Sequence, residues 1–480
     1  MKKRLYENYA YNTIYQLVML LQPVILTPFL TRVIGAEGIG QYTYTHSVVT
    51  YFILLGTMGS NLYAQREIAY VAKDKQKRSR AFWEILLIRC IMLAISLFIY
   101  AIAEISLGRY PVLFAVQSIA IVAAGVDITW YFQGQEQFGK IARRNLLVKL
   151  IDAVVILLVV KDAEDLWKYA LITVVSNLLG QLWLWKDIRK EIAAPKVERL
   201  FFPQHLKGMV HLFLPQIATQ IYLLLDKTMI EIVTNNSAET GYYELAQLIQ
   251  RAGVTLITAF GTVTASRIAG LKAEGEEEEI KNVLAKSWEI VSYLGVPVAL
   301  GIAAVASNLI PWFMGAGYDR VSELLILFGP FILIIGMSHI SGIQYMVPMG
   351  MQDKLTFSNV AGAVINVVMN SILILKYGAQ GAAIASVTTE AVVLVIQYWY
   401  IRKVILKSRV CAALLQSLTC GVIMVFVVEA AEKYWFTEAR IVNTILLVGM
   451  GAVAYLGTNG MLFGIRKALQ IRYRKSHALR

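Results

Sequence analysis

Two stretches decide the fold once they are laid over one another: YFQGQEQFGKIARRNLLVKLID at residues 131–152 and YMVPMGMQDKLTFSNVAGAVIN at residues 345–366. Tyr131, Lys140, Asn145 and the pair Ile151 and Asp152 recur as Tyr345, Lys354, Asn359 and the pair Ile365 and Asn366, each displaced by 214 positions. Working outward, Trp83, Glu84 and Ile85 recur as Trp288, Glu289 and Ile290 at a displacement of 205, and Gln181 and Trp183 recur as Gln397 and Trp399 at 216. Small loop insertions produce such a drift. Matches that keep their order along the chain mark an internal repeat.

Composition says what is repeated. Of 480 residues, 57% are hydrophobic and only 16% charged. Soluble chains carry about 25% charged residues to wet their surfaces, so the three or so soluble domains that this length suggests would lack the charge to cover their cores. With 3 cysteines and 10 prolines, disorder, collagen-like repeats and a disulfide-stapled secreted fold are excluded as well. A helix needs about 20 apolar residues to cross about 30 Å of hydrocarbon. Fourteen such stretches emerge: residues 12–31, 42–65, 84–103, 112–133, 146–160, 166–185, 209–232, 243–265, 288–309, 323–345, 357–375, 381–400, 410–430 and 441–463. The fifth is short and flanked by Lys149, Asp152 and Lys161, with Asp152 read as close to the inner surface and without a special role.

The repeat matches fall on the third and ninth spans, the fourth and fifth with the tenth and eleventh, and the sixth with the twelfth. An even number of helices per copy gives both copies the same orientation, hence parallel repeats about an axis along the membrane normal. The expected fold is therefore an all-α polytopic membrane protein of about 14 transmembrane helices, with two six-helix lobes enclosing a central cleft and two further helices behind them. The expected domains are residues 1–200, 201–405 and 406–480. Rocking of one lobe against the other would open the cleft alternately to each side, which is transporter architecture.

The formal charge is +13, which in a soluble protein would point to nucleic acid. With the N-terminus inside, only Arg32, Arg109, Lys161, Lys168, Arg320, Lys376, Lys433 and Arg440 fall on the outer side, and only Arg89, Lys227 and Arg251 fall within helices; the rest of the 45 Lys and Arg lie on the inner side. That asymmetry is the signature of cytoplasmic loops. The basicity thus reads as orientation, with both termini cytoplasmic and no nucleic-acid partner. Lys2, Lys3 and Arg4 precede an apolar run, but Gln16, Gln22, Pro23 and Pro28 and the length of the run do not suit a secretory signal, so it reads as a retained first helix. Cys90, Cys411 and Cys420 all fall within helices, where no structural disulfide is needed.

The first helix and loop, with Pro28, Arg32, Gly35, Gly38, Gly40 and Tyr42, resemble the opening of polysaccharide-type flippases of the multidrug/oligosaccharidyl-lipid/polysaccharide exporter superfamily. So do Asp226, the pair Gly241 and Tyr242, and Ala246. In the second lobe Pro297, Gly301, Gly315 through Tyr318, Gly350, Lys354, Asn366, Asn370, the run Gly378 to Ala383 and Glu390 fit the same pattern. The likeness covers about the whole chain. It implies a V-shaped pair of six-helix bundles in a bacterial inner (plasma) membrane, flipping an undecaprenyl-diphosphate-linked oligosaccharide from the cytoplasmic to the outer leaflet for capsule, O-antigen or a similar surface polymer. Lipid-linked oligosaccharide, membrane lipids and polymer-assembly proteins are the implied partners.

A diphosphate-sugar headgroup needs a wet passage with cations, and Arg or Lys within a helix costs about 2.5–3.5 kcal/mol on insertion scales, so its retention hints at function. Arg251, about ten residues or roughly 15 Å into the eighth helix, is the leading phosphate contact, its guanidinium being a fork matched to phosphate oxygens. The alternative is an intramembrane pair with Glu244 or Glu390. Lys227, Arg32 and Arg89 complete the candidate substrate contacts, against bland readings as a local ion pair, an interface anchor and a snorkelling side chain. Glu390, Asp127 and Asp226 are the candidates for accepting a coupling proton or sodium ion, with structural hydrogen bonding as the alternative for each. No cofactor beyond such a gradient is expected.

His46 and His339 read as satisfying polar neighbours, and no His, Cys and carboxylate cluster has metal-ligand spacing. The Glu276 to Glu279 run reads as a solvated interfacial helix. Most of the Tyr, Phe and Trp residues read as interface belts, although a few could stack on sugars. A membrane polymerase or ligase would need a longer outer segment than residues 310–322 provide, and no P-loop sequence is present; enzyme function is not expected. A multidrug cation exporter of the same superfamily is the nearest rival, disfavoured by the intramembrane cations.

Overall fold

The second expected span, residues 42–65, is not one helix. Met58 and Gly59 take positive φ of 44° and 72°, a left-handed conformation that glycine tolerates and that ends a helix. The chain stops α2 (Gly35–Thr57) there and restarts as α3 (Ser60–Tyr70). The computed structural model describes residues 22–189, 191–194, 203–259, 261–405 and 407–478, and all its regular elements are helical. Residues 22–33 form α1. After α3 come α4 (Lys75–Leu107), α5 (Pro111–Gly125), α6 (Thr129–Gly134), α7 (Phe138–Val159), α8 (Leu166–Ile188), α9 (Pro203–Thr234), α10 (Ser237–Thr258) and α11 (Gly261–Glu274). The chain continues through α12 (Glu277–Met314), α13 (Asp319–His339), a π-helical segment (Ile340–Met346), α14 (Gln352–Tyr377), α15 (Ala379–Ile401), α16 (Lys407–Tyr434) and α17 (Ile441–Ala478). Much of the first expected span, and the expected lobe boundary at residue 200, lie outside the described residues.

Among the described residues, nine helices are long and apolar enough to cross a membrane, matching the third, fourth and eighth to fourteenth expected spans. Polar side chains set α2, α7 and α8 apart from these: α7 carries Arg143, Arg144, Lys149 and Asp152, and α8 carries Lys168, Ser176, Asn177 and Gln181. The Glu276 to Glu279 run does not make a helix of its own. Glu277, Glu278 and Glu279 form the first turn of α12, where carboxylates complement the helix dipole.

Packing divides the chain into two compact units, parting after Gly241. The repeat is legible in each unit by itself. In the first, α4 packs on α5, α5 on α8, α7 on α8, and the short α3 on the short α6; in the second, α12 packs on α13, α13 on α15, α14 on α15, and α11 on the π-helical segment. Helix α9 packs on α2, α3 and α4. A Cβ at Gly40 would collide with the carbonyl of Ser237, and one at Gly241 with that of Ala36, so α2 meets the start of α10 backbone to backbone. The last two helices lie against α12, with Val296, Ala304, Cys420, Met424, Val428 and Leu447 in one cluster.

A buried arginine holds the interruptions of the first unit. Arg89, on α4, is 1% exposed. Its Nε donates to the Ala124 carbonyl at 2.8 Å, its Nη1 to Ser60 Oγ at 3.0 Å and to Asn61 Oδ1, and its Nη2 stands 3.6 Å from Asp127 Oδ2. Asp127 in turn accepts from the Thr129 N–H at 2.9 Å and the Thr129 hydroxyl at 2.6 Å, opening α6. The guanidinium thereby takes up the Ala124 carbonyl left at the break at 125–128 and ties it to the side chains of Ser60 and Asn61, which follow the break at 58–59. Removing one partner of a buried pair costs about 3–5 kcal/mol. Arg89→Ala should therefore lower the thermal transition of the purified protein sharply, whereas Arg89→Leu combined with Asp127→Ser, which copies the aligned Leu294 and Ser341 of the second unit, should recover part of the loss. Equal melting of Arg89→Ala and the parent would refute this role.

Candidate substrate cavity

Helix α7 is polar on the side that faces its neighbours. Arg144, Asn145, Lys149 and Asp152 recur at helical spacing along one face, while the exposed side chains beyond Arg143 are apolar, among them Leu150, Ile151, Val154 and Leu158. Apolar side chains outward and charges inward is the polarity of a helix in lipid that lines a wet interior. Thr173, Ser176, Asn177 and Gln181 of α8, Tyr42 and His46 of α2, and Thr129 and Gln133 of α6 complete the wall of a cavity of about 550 Å³ inside the first unit. Gly180 lets α8 come close, because a Cβ there would press on Val148 and on the Arg144 stem.

The lining is mixed in charge. Arg144 Nη2 donates to Gln181 Oε1 at 3.2 Å, and Gln22 Nε2 donates to Asp152 Oδ2 at 3.2 Å. Asp152 is 3% exposed, and its Oδ1 has no hydrogen-bond partner. The Tyr42 ring lies parallel to His46 at 5.6 Å and tilted against Tyr169 at 4.8 Å. Such a set can bind a hydrated, polyhydroxylated or anionic group through both donors and acceptors. Among the described residues no three His, Cys, Asp or Glu side chains are grouped to hold a metal.

The residues singled out from the sequence are dispersed. Arg89 and Asp127, expected in different roles, are brought together as the ion pair described above; Asp127 lies between α5 and α6 rather than inside a helix. Arg251, half-exposed on α10, donates to Glu244 Oε1 at 2.6 Å and to Gln247 Oε1 at 3.2 Å. Arg32, exposed on α1, donates to the Pro28 carbonyl at 2.6 Å. Asp226 and Lys227 are both buried on α9 within the first unit, and Glu390 is buried on α15 in the second.

Two features escaped the sequence reading. Glu231, on α9, is fully buried, its two oxygens accepting from the hydroxyls of Tyr110 at 2.8 Å, Ser237 at 2.8 Å and Thr240 at 3.0 Å. The other is the cavity itself. Its signal was the poor apolarity of the fifth and sixth spans. Helix α7 begins at Phe138, eight residues before the span drawn from hydropathy, so Asp152 stands about 21 Å along it at 1.5 Å per residue and not at its inner edge.

Residues 5–269 match the family described as "Polysaccharide biosynthesis protein". The chain is 22% identical over 409 residues to the "Putative O-antigen transporter" of Escherichia coli, covering 84% of this chain and 97% of that protein. It is 24% identical over 247 residues to the "Probable low-salt glycan biosynthesis flippase Agl15" of Haloferax volcanii, covering 50% and 42%. Among solved structures, the lipid II flippase MurJ in an inward closed conformation superposes with a TM-score of 0.76 at 12% identity, covering 97% of this chain and 100% of that one. An inward-facing multidrug resistance MATE family transporter of the MOP superfamily follows at 0.61 and 13%, covering 83% and 95%. At these identities the structural likeness is one of fold.

A wet cavity predicts chemistry at its wall. In a background lacking Cys90, Cys411 and Cys420, Lys149→Cys and Asn177→Cys should react with a small water-soluble thiol reagent in membranes, while Val393→Cys, aligned with Asn177, and Ser358→Cys, aligned with Arg144, both at buried positions of the second unit, should stay unmodified. Equal labelling at all four would deny the cavity its water.

Proposed function

The chain belongs to the polysaccharide biosynthesis protein family, and on that premise we propose that it is a flippase for a lipid-linked oligosaccharide. The observation that carries the reading is the polar cavity walled by α2, α6, α7 and α8 inside a bundle whose outward side chains are apolar. A multi-pass protein with such an interior offers a sugar head a hydrated route while the lipid tail remains in hydrocarbon. The relatives named for O-antigen transport and for glycan flipping support the same class of cargo.

The finer reading is that the lipid carrier is undecaprenyl diphosphate, that the protein sits in a bacterial inner membrane with both termini cytoplasmic, and that transport proceeds by alternating access. Arg251 is the group we assign to the diphosphate. Its guanidinium is half-exposed and shared with Glu244, so a phosphate would exchange one charge-assisted partner for another at small net cost. Lys227 and Arg32 are secondary candidates for the same anionic group. Glu390, Asp127 and Asp226 are the candidates for coupling to a proton or sodium gradient, and Asp127 would have to release Arg89 to serve. Polymer-assembly proteins are the partners expected to receive the cargo.

The decisive measurement is translocation by purified protein in proteoliposomes, with a lipid-linked oligosaccharide as cargo and a cationic drug as the rival. Movement of the glycolipid and not the drug is the expected result; drug transport alone would transfer the protein to the exporter reading. Arg251→Ala should abolish glycolipid movement while membrane insertion is retained, and full activity of that variant would remove the residue from the mechanism. Glu390→Gln should flatten the pH dependence of flipping if its carboxylate carries the coupling proton. An unchanged profile would assign it to packing.

A further inference from the structure

The repeat supplies an internal control for the cavity. At displacements of 214 and 216, Arg144, Lys149, Asp152 and Asn177 of the first unit correspond to Ser358, Ala363, Asn366 and Val393 of the second, while Gln181 remains Gln397. One contact survives with its position: Gln397 Nε2 donates to Ser358 Oγ at 3.4 Å, where Arg144 donates to Gln181. The charges do not survive. Ser358, Asn366 and Val393 are buried, and a Cβ on Gly362 of α14 would overlap the Val393 side chain of α15. Close approach at a glycine is common to both pairs, since Gly180 of α8 meets Val148 and the Arg144 stem of α7. The first unit carries charge where the second carries Ser358, Ala363 and Asn366, and Asn177 where it carries Val393.

The lining discriminates between the two ends of a glycolipid head. A diphosphate asks for donors and cations only. Here Asp152 stands within the electrostatic reach of Lys149 and beside the Ser176 hydroxyl, Arg144 is bonded to Gln181, and Asp152 Oδ1, buried against the cavity, makes no hydrogen bond of good geometry. The missing partner is a hydroxyl or amide N–H. Sugar hydroxyls both donate and accept, which suits a carboxylate beside the side-chain amides of Asn145, Asn177 and Gln181. The parallel Tyr42 and His46 rings add a flat apolar surface of the kind that packs on the C–H face of a sugar ring. A volume of about 550 Å³ falls inside the roughly 300–1,000 Å³ of small-ligand sites and suits a short saccharide better than a whole polymer repeat.

We propose that the cavity between α2, α6, α7 and α8 is a saccharide subsite for the cargo, with Asp152 Oδ1 accepting a sugar hydroxyl and Asn177 on the opposite wall hydrogen-bonding the same ring. This rests on the flippase reading and names which part of the cargo the first unit holds. The subsite gives the first unit the sugar and leaves the diphosphate to cations elsewhere.

The test uses the purified full chain and two probes: polyprenyl-diphosphate oligosaccharides extracted from the cells that make the protein, and the same lipids stripped of their sugars to bare diphosphate. The parent protein should bind the glycosylated lipids more tightly. Asp152→Asn, which keeps the shape, and Asn177→Ala, on a different helix, should each weaken that binding by about tenfold or more, as the loss of a hydrogen bond from a charged or buried group does. Binding of the stripped lipids should stay within about twofold, which also shows that the variants are folded. Free oligosaccharide released from the same lipids should compete only at much higher concentration. Equal loss for both probes, no loss for either, a parent protein that does not distinguish them, or no competition by the free sugar at any concentration would each overturn the subsite. A parent protein that binds neither lipid would instead overturn the flippase reading itself.

Discussion

The fold of the first unit depends on one guanidinium. A helix broken within a hydrocarbon region frees carbonyl and N–H groups that no lipid can satisfy, and the first unit has two helix breaks within reach of one side chain. Arg89 answers both from a third helix, reaching the Ala124 carbonyl, the Ser60 and Asn61 side chains and the Asp127 carboxylate. The second unit shows what happens without that demand. At the aligned positions stand Leu294 and Ser341, and the chain passes from α13 into the π-helical segment, with Ser341 Oγ donating to the Met337 carbonyl. Leu294 is half-exposed, so the second unit puts no buried side chain at the place of Arg89.

That difference prepares the difference in interior chemistry. Ending α5 at Gly125 and restarting at Thr129 lets α6 turn beneath the bundle and bring Thr129 and Gln133 to the cavity floor. Helix α7 then starts at Phe138 and carries Arg144, Asn145, Lys149 and Asp152 along the wall. The polar residues need one another: Gln22 for Asp152, Gln181 for Arg144. Such mutual satisfaction leaves few groups over, and it is the leftover Asp152 oxygen that gives the site its chemical character.

Class and repeat were legible in the sequence because both are written locally. A span of 20 apolar residues and a tryptophan recurring at a fixed interval require no knowledge of contacts. The site was legible only in part, because a charged residue's role depends on its partner. Arg89 read as a snorkelling or headgroup-binding side chain until Asp127, 38 positions on, was placed beside it. Lys149 and Asp152 read as flanking a short span because hydropathy begins a span where charges stop, whereas the helix that carries them begins at Phe138. A polar-lined helix hides its start from any apolarity rule. Glu231 escaped for the same reason: what singles it out is three hydroxyls arriving from α5 and α10, and only the Ser237 and Thr240 contacts are near in sequence.

Duplication gives two copies of one scaffold and no reason for them to stay alike. Identical halves would present the same surface twice, which suits a small symmetric cargo. A glycolipid head is not symmetric. One end is a fixed diphosphate joined to the lipid, the other a variable saccharide, and these ask for cations and for mixed donors and acceptors respectively. The retained Gln181 and Gln397 mark the ancestral contact common to both copies. The replacement of Ser358, Ala363 and Val393 by Arg144, Lys149 and Asn177 at the matching places of the other copy marks where the two have diverged. Across the two aligned helix pairs, Arg144, Lys149 and Asp152 stand where the second unit has the uncharged Ser358, Ala363 and Asn366, and Asn177 stands where it has the apolar Val393. The first unit's seam therefore carries charged and polar groups that call for water or a ligand when buried.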